Sequence, residues 1–154
     1  MDKSKLIAEF GDLTLESFRL NGRLLAKGDE IAAELGMTSA RWQVLGTLVI
    51  ADEGITVAEI ARRMGLTRQS VQRVTHDLLQ EKLVRYADNP RHPRWQLVVP
   101  TARGLKVRAQ LEERRRAWSS EVVTEMSLAE LQTAAAVLRK LRNRLTAETT
   151  EATL

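Results

Sequence analysis

The chain contains no cysteine, which excludes disulfides, thiolate metal sites and thiol-based redox sensing. It has two histidines, His76 and His92, too few donors for a transition-metal centre without thiolate help. Glycine-rich loops of the Walker or Rossmann type are absent, so no nucleotide cofactor is expected. The carboxylate pairs Asp52-Glu53 and Glu112-Glu113 are adjacent in sequence. Adjacent side chains diverge on a helix, so these read as solvated charge rather than acid/base machinery. With no nucleophile, acid/base pair or metal site to assemble, an enzyme is not expected, and no cofactor is implied. No apolar run is long enough to cross a membrane, and the N-terminus lacks the charged-then-apolar shape of a signal peptide. The expectation is a soluble cytoplasmic protein.

Aromatic residues make up only 4% of the 154, although 44% are hydrophobic. The core must therefore come from Leu, Val, Ile and Ala, whose helical spacing points to a mostly α-helical fold. Trp42 and Trp118 occupy helical positions suited to core or interface. The formal net charge is +4, and its distribution says more than its size. Between Arg62 and Arg94 there are eight Lys/Arg and three acids, a net +5, so the remainder of the chain sums to −1. Local basicity of this kind is the footprint expected on a polyanion.

Residues 4–35 read as helix, with Gly11, Gly22 and Gly28 marking either a bend or a division into two. Gly36 stops it, and Thr38 is placed to cap a second helix that ends near Asp52-Glu53-Gly54. Thr56-Val-Ala-Glu59 has the form of a capping box, in which hydroxyl and carboxylate each satisfy a backbone N–H. Val57, Ile60, Ala61 and Met64 then give one apolar face. Gly65 suits a left-handed helix end, Leu66 reads as a buried turn residue, and Thr67 caps the next helix. Two helices separated by about three residues around a glycine form a helix-turn-helix pattern. "LVRYA" (83–87) and "WQLVV" (95–99) then read as strands flanking a turn-rich basic tip, "DNPRHPR" (88–94). Thr101 caps a helix of about 102–126, in which "EERRR" (112–116) reads as an exposed, salt-bridged surface. Ser127-Leu-Ala-Glu130 starts a last helix. Its Leu131, Ala134, Leu138, Leu141 and Leu145 follow the steps of three and four that seek partner helices. Residues 148–154 read as a frayed tail.

At about 100° per residue, Val71, Val74, Thr75 and Leu78 gather on one side of the helix 67–81. Gln69, Gln72, Arg73, His76 and Gln80 gather on the other, with no acid and no lysine among them. Gln and Arg carry the flat, bidentate groups that read adenine and guanine edges in the major groove. Arg68, Gln69 and Ser70 occupy the first turn, where recognition helices make base contacts, while Thr67 and Ser70 suit phosphates at the helix N-terminus. A hairpin with Arg91 and Arg94 at its tip suits the adjacent minor groove. Two plainer readings stand beside this one: a solvated face that happens to lack acids, and a winged helix serving as a protein–protein interaction adaptor, since a helix-turn-helix is a scaffold as well as a reader.

The order of these parts resembles the MarR (multiple antibiotic resistance regulator) family of winged-helix transcription factors over essentially the full chain. The stretches that carry it are "LGMTSARWQVLGTL" (35–48), "TVAEIARRMGLTRQSVQRVTHDLLQEKLV" (56–84) and "DNPRHPRWQLVVPTARG" (88–104). The resemblance implies a mostly α fold with a small β-hairpin wing, in which a winged helix-turn-helix (37–100) is flanked by a helical dimerisation region (1–35 and 102–147). It implies a homodimer on a pseudo-palindromic double-stranded DNA operator, nucleoid-associated when bound, acting as a repressor released by a small aromatic or phenolic effector. Thr67, Arg68, Gln69, Ser70, Gln72 and Arg73 would be recognition-helix contacts and Arg94 the wing arginine, with His76 and Arg91 as outlying candidates. The family's wing commonly carries acids just before its paired arginines. Here Arg91-His92-Pro93 fills that region, leaving Asp88 and Arg94 as the matches.

Overall fold

In the computed structural model of the protein, residues 2–151 are described, with side chains through residue 146. Helix α1 (Lys3–Ala33) leads to α2 (Ser39–Ala51), α3 (Val57–Met64) and α4 (Arg68–Gln80). A hairpin of β1 (Val84–Ala87) and β2 (Leu97–Pro100) follows, then α5 (Ala102–Val122), a short 3-10 turn (Val123–Glu125) and α6 (Leu128–Glu151). Two compact units divide the chain at Arg115 and Arg116.

The helix starts follow from local chemistry. The Thr38 hydroxyl accepts from Arg41 N at 3.2 Å, Thr56 from Glu59 N at 3.2 Å, Thr67 from Ser70 N at 3.2 Å and Thr101 from Gly104 N at 3.0 Å. Each satisfies an otherwise orphaned N–H of a first turn. At Ser127 the capping box is reciprocal, since Glu130 Oε2 also accepts from Ser127 N at 2.8 Å. Residues 4–35 were expected to hold a bend or two helices; α1 is a single element through Ala33. The last helix runs to Glu151, into the stretch expected to fray, and residues 152–154 lie outside the described residues.

In the unit ending at Arg115, Leu45 and Leu48 of α2, Ile60 of α3, Val71 and Leu78 of α4, Val98 of β2 and Leu111 of α5 are all fully buried. This aliphatic cluster holds the helix-turn-helix and the hairpin against one core, at roughly 1.5–3 kcal/mol for each fully buried large aliphatic side chain. The hairpin is antiparallel, pairing Val84 with Pro100 and Tyr86 with Val98. A bridge joins Ile55 to Val98, with Val98 N donating to Ile55 O at 2.9 Å, so the residue before the α3 N-cap is stitched to the wing. The strands are shorter than "LVRYA" and "WQLVV" suggest: Leu83, Trp95 and Gln96 lie outside the ladder.

The far end of this unit is different. Leu6, Ile7, Phe10, Phe18 and Leu24 of α1 are all exposed. In the unit from Arg116 onward, Leu131, Leu138 and Leu145 of α6 are likewise exposed, while Leu141 of the same stripe is half-buried. Among the described residues no helix is long and apolar enough to cross a membrane.

Candidate nucleic-acid interface

The turn between α3 and α4 fixes the angle at which α4 is presented. Gly65 sits at φ 66° and ψ 32°, a left-handed conformation that costs glycine nothing sterically. Its N–H donates to Arg62 O, and Leu66 N donates to Ala61 O at 3.0 Å. Together these close the Schellman pair that ends a helix. Leu66, expected to be buried, is 49% exposed: its backbone completes the turn while its side chain faces out. The Thr67 and Ser70 hydroxyls bond each other at 3.0 Å, and Ser70 Oγ also reaches Thr67 O at 2.9 Å.

On α4 the two faces separate as the periodicity requires. Val71, Thr75 and Leu78 are buried. Thr67, Arg68, Gln69, Ser70, Gln72, Arg73 and His76 are all exposed, as are Arg91 and Arg94 on the wing. His76 is engaged with Gln80 on its own helix, with 3.1 Å between His76 Nε2 and Gln80 Nε2. The one acid of α4, Asp77, turns away toward Arg41 of α2 at 3.4 Å.

Ion pairing separates the arginines of this region into two groups. Glu59 accepts from Arg62 Nη2 at 2.7 Å and Arg63 Nε at 2.6 Å. Hydrogen bonds from Arg62, and then from Arg63, pull its carboxyl from 4.5 down to about 2. The Glu59 carboxylate was expected to reach back to its own helix start as half of a capping box. Two guanidinium groups one turn further on hold it instead, because charge-assisted bonds outcompete a neutral N–H. Among the described residues, Arg68 and Arg73 of α4, Arg85 of β1 and Arg91 and Arg94 of the wing have no ion-pair partner.

Asn89 organises the wing tip. It is 9% exposed, and its Oδ1 accepts from Arg91 N at 3.0 Å and His92 N at 3.2 Å, an Asx-type turn. Trp95 N then closes on His92 O at 2.9 Å, and the two rings lie 5.4 Å apart. The two wing arginines part company. Arg94 lines a cleft of about 300 Å³ together with Arg68, Gln72, Tyr86 and Trp95. Arg91 lines a separate one of about 510 Å³ beside Glu59, Arg63 and Asn89. Of the recognition-helix candidates, Arg68 and Gln72 thus share a cleft with Arg94 and none shares one with Arg91, while Thr67, Gln69, Ser70, Arg73 and His76 line neither.

Three residues of this surface carried no weight in the sequence. Asn89 was signalled only by the Asn-Pro dipeptide that favours turns. Trp95 looked like a strand residue. Tyr86, half-buried against the core, places its hydroxyl 3.3 Å from Gln72 Nε2, a pairing fourteen residues apart that no local rule anticipates.

The MarR family profile matches residues 35–94, the span from α2 through the wing tip. An uncharacterized protein of Mycobacterium tuberculosis is 37% identical over 140 residues, covering 91% of this chain and 96% of that one. Among solved structures, a MarR/EmrR family transcriptional regulator from Acinetobacter sp. ADP1 superposes with a TM-score of 0.78 at 20% identity, covering 87% of this chain and 94% of that one. The MepR–DNA complex of S. aureus gives a TM-score of 0.74 at 21% identity, covering 84% and 96%. At such identities the likeness to solved structures speaks of fold. Helix order, wing and matched span agree: the chain belongs to the MarR family and has the winged-helix fold of its transcription regulators.

Proposed function

We propose that this protein is a dimeric, sequence-specific double-stranded DNA-binding transcriptional regulator acting as a repressor. The observation that carries the reading is the separation of charge. The first helix of the helix-turn-helix has its arginines tied to Glu59, whereas the exposed faces of α4 and the wing keep theirs unpaired. Unpaired, exposed guanidinium groups are what phosphate neutralisation and guanine reading require. MepR of S. aureus, on the same fold, is crystallised with DNA, which supports the docking mode.

In this reading α4 enters the major groove and the wing tip, through Arg94, the minor groove. Gln69, Gln72, Arg68 and Arg73 face base edges, while Thr67 and Ser70 meet phosphate at the α4 N-terminus. Arg91 and His76 lie at the margin and touch backbone at most. Two copies joined through the bare apolar faces of α1 and α6, within the region 1–35 and 102–147, set their α4 helices about 34 Å apart along the duplex. A small aromatic or phenolic effector releases the complex, and the protein works in the cytoplasm on the nucleoid.

The test is binding to genomic fragments across a salt series. The expected result is a salt-sensitive preference for one inverted repeat. Gln69→Ala or Arg73→Ala should relax sequence preference by about 1–3 kcal/mol, whereas Arg94→Ala should weaken all sequences more evenly. Equal losses on cognate and random DNA would remove the base-reading assignment. A flat salt response with no preferred repeat would leave the protein-interaction adaptor as the better account.

A further inference from the structure

We propose that Tyr86 is a specificity-positioning residue, holding the Gln72 carboxamide for adenine reading. This rests on the reading of α4 as the recognition helix. Gln72 is exposed and carries three side-chain torsions, so a free glutamine here would lose considerable rotamer freedom on meeting a base. The structure supplies a partner. Tyr86 lies on β1 opposite Val98, which is fully buried, and its ring packs against the core. Its hydroxyl is therefore a fixed point rather than a mobile one. Gln72 Nε2 donates to it at 3.3 Å.

The bond has a direction, and the direction has a consequence. One N–H of the Gln72 amide is given to the phenol oxygen, which holds the end of the side chain in place. A second N–H and the Oε1 acceptor are left over. That donor-and-acceptor pair complements adenine, whose N7 accepts and whose N6 donates in the major groove. The phenol's own proton is not used in this bond, and Arg68 and Arg94 line the same cleft as further donors. Because Tyr86 belongs to the wing and Gln72 to α4, the contact also ties the reader's conformation to the position of the wing.

Tyr86→Phe tests this, because it keeps the ring in the core and removes only the hydroxyl. The full-length dimer would be assayed against operator duplexes varied one base pair at a time, for wild type, Tyr86→Phe, Gln72→Ala and the double variant. At the position where Gln72→Ala abolishes discrimination, Tyr86→Phe should lower the preference for A·T by about three- to tenfold, the range of one neutral hydrogen bond. Other positions, the salt slope and the melting temperature should be unchanged, and the double variant should match Gln72→Ala alone. In the DNA-free protein the side-chain amide resonances of Gln72, identified by their loss in Gln72→Ala, should shift in Tyr86→Phe. Wild-type discrimination in Tyr86→Phe with Gln72→Ala impaired would overturn the role of Tyr86 and leave the DNA reading standing. A loss spread evenly over all positions would overturn it too, while a wild type preferring no sequence would overturn both.

Discussion

Gly104 is where the wing root meets α5, and replacing it with alanine should be the costliest single-methyl change in the unit ending at Arg115. A Cβ built there lies 2.0 Å from the Leu83 carbonyl oxygen and 3.0 Å from the carbonyl carbon, with Leu45 Cδ1 at 3.5 Å behind it. Ordinary carbon–oxygen contacts are about 3.3–3.6 Å, so α5 or the start of β1 must retreat by roughly an ångström or more. That junction is pinned. The Leu83 carbonyl accepts from Thr101 N at 3.0 Å and from the Thr101 hydroxyl at 3.2 Å, and the same hydroxyl donates to Lys82 O at 2.8 Å. A retreat weakens about two of these, at about 1 kcal/mol each, and adds overpacking of about 1–3 kcal/mol. The better helix propensity of alanine returns about 1 kcal/mol, leaving a net loss of about 2–4 kcal/mol.

For a chain of this size that loss lowers the melting temperature by roughly 5–15 °C. Urea unfolding followed by circular dichroism, at one fixed protein concentration, gives the number directly. Gly65→Ala is the internal control. Its backbone is left-handed at φ 66°, yet nothing lies within 4 Å of the added methyl, so its cost is conformational alone, about 1–2 kcal/mol. If Gly104→Ala melted like wild type, or if Gly65→Ala were the worse of the two, the steric account of this junction would be wrong.

Two further changes probe single interactions. Thr75 is fully buried on α4 and its hydroxyl has no hydrogen-bond partner among the described residues, so the nearly isosteric Thr75→Val should stabilise the fold by about 0.5–1.5 kcal/mol; a loss in the same urea assay would show that the hydroxyl is satisfied in solution. Glu59 has its carboxyl lowered from 4.5 to about 2 by Arg62 and Arg63, so its ionised form stabilises the fold fully above pH 4.5 and that contribution is lost as pH falls toward 2. Glu59→Gln should therefore cost about 1 kcal/mol at pH 7 after solvent screening, with the gap to wild type narrowing steadily below pH 4.5, and an equal gap at pH 7 and pH 3 would contradict the pairing.

Much of the fold was legible because its determinants are local. A hydroxyl at a helix start needs only the N–H three residues on, so the caps at Thr38, Thr56, Thr67, Thr101 and Ser127 could be read from spacing alone. The inward face of α4 could be read from its period, and the end of α3 from one glycine. What escaped depends on competition or on distance. Glu59 had three possible donors within one turn and takes the charged ones. Leu66 is apolar, yet the Schellman turn directs its side chain outward. The strands stop short because the tip between them is held by the Asn89 side chain rather than by ladder bonds. The parting of Arg91 from Arg94, the Ile55–Val98 bridge and the Tyr86–Gln72 contact each join segments that only the folded chain brings together. Of the candidate site, the sequence could say which residues share a face; it had no means of saying which wing arginine shares a cleft with Arg68 and Gln72.

The placement of acids explains why a chain of modest net charge can present a strongly basic surface. Counted in sequence, the stretch from Arg62 to Arg94 includes Asp77, which would be expected to dilute the basicity of α4. In space Asp77 faces Arg41 of α2, so its charge serves the α2–α4 contact and is withdrawn from the outward face. Glu59 performs the complementary task on α3, drawing Arg62 and Arg63 into one cluster and reducing that helix from two positive charges to a net +1. Surface ion pairs of this sort contribute little to stability. Their larger effect is on the field: cancelling charge on α2 and α3 concentrates the unpaired cations on α4 and the wing, the two elements that project from the core. A polyanion approaching such a molecule is steered by that local excess rather than by the total of +4.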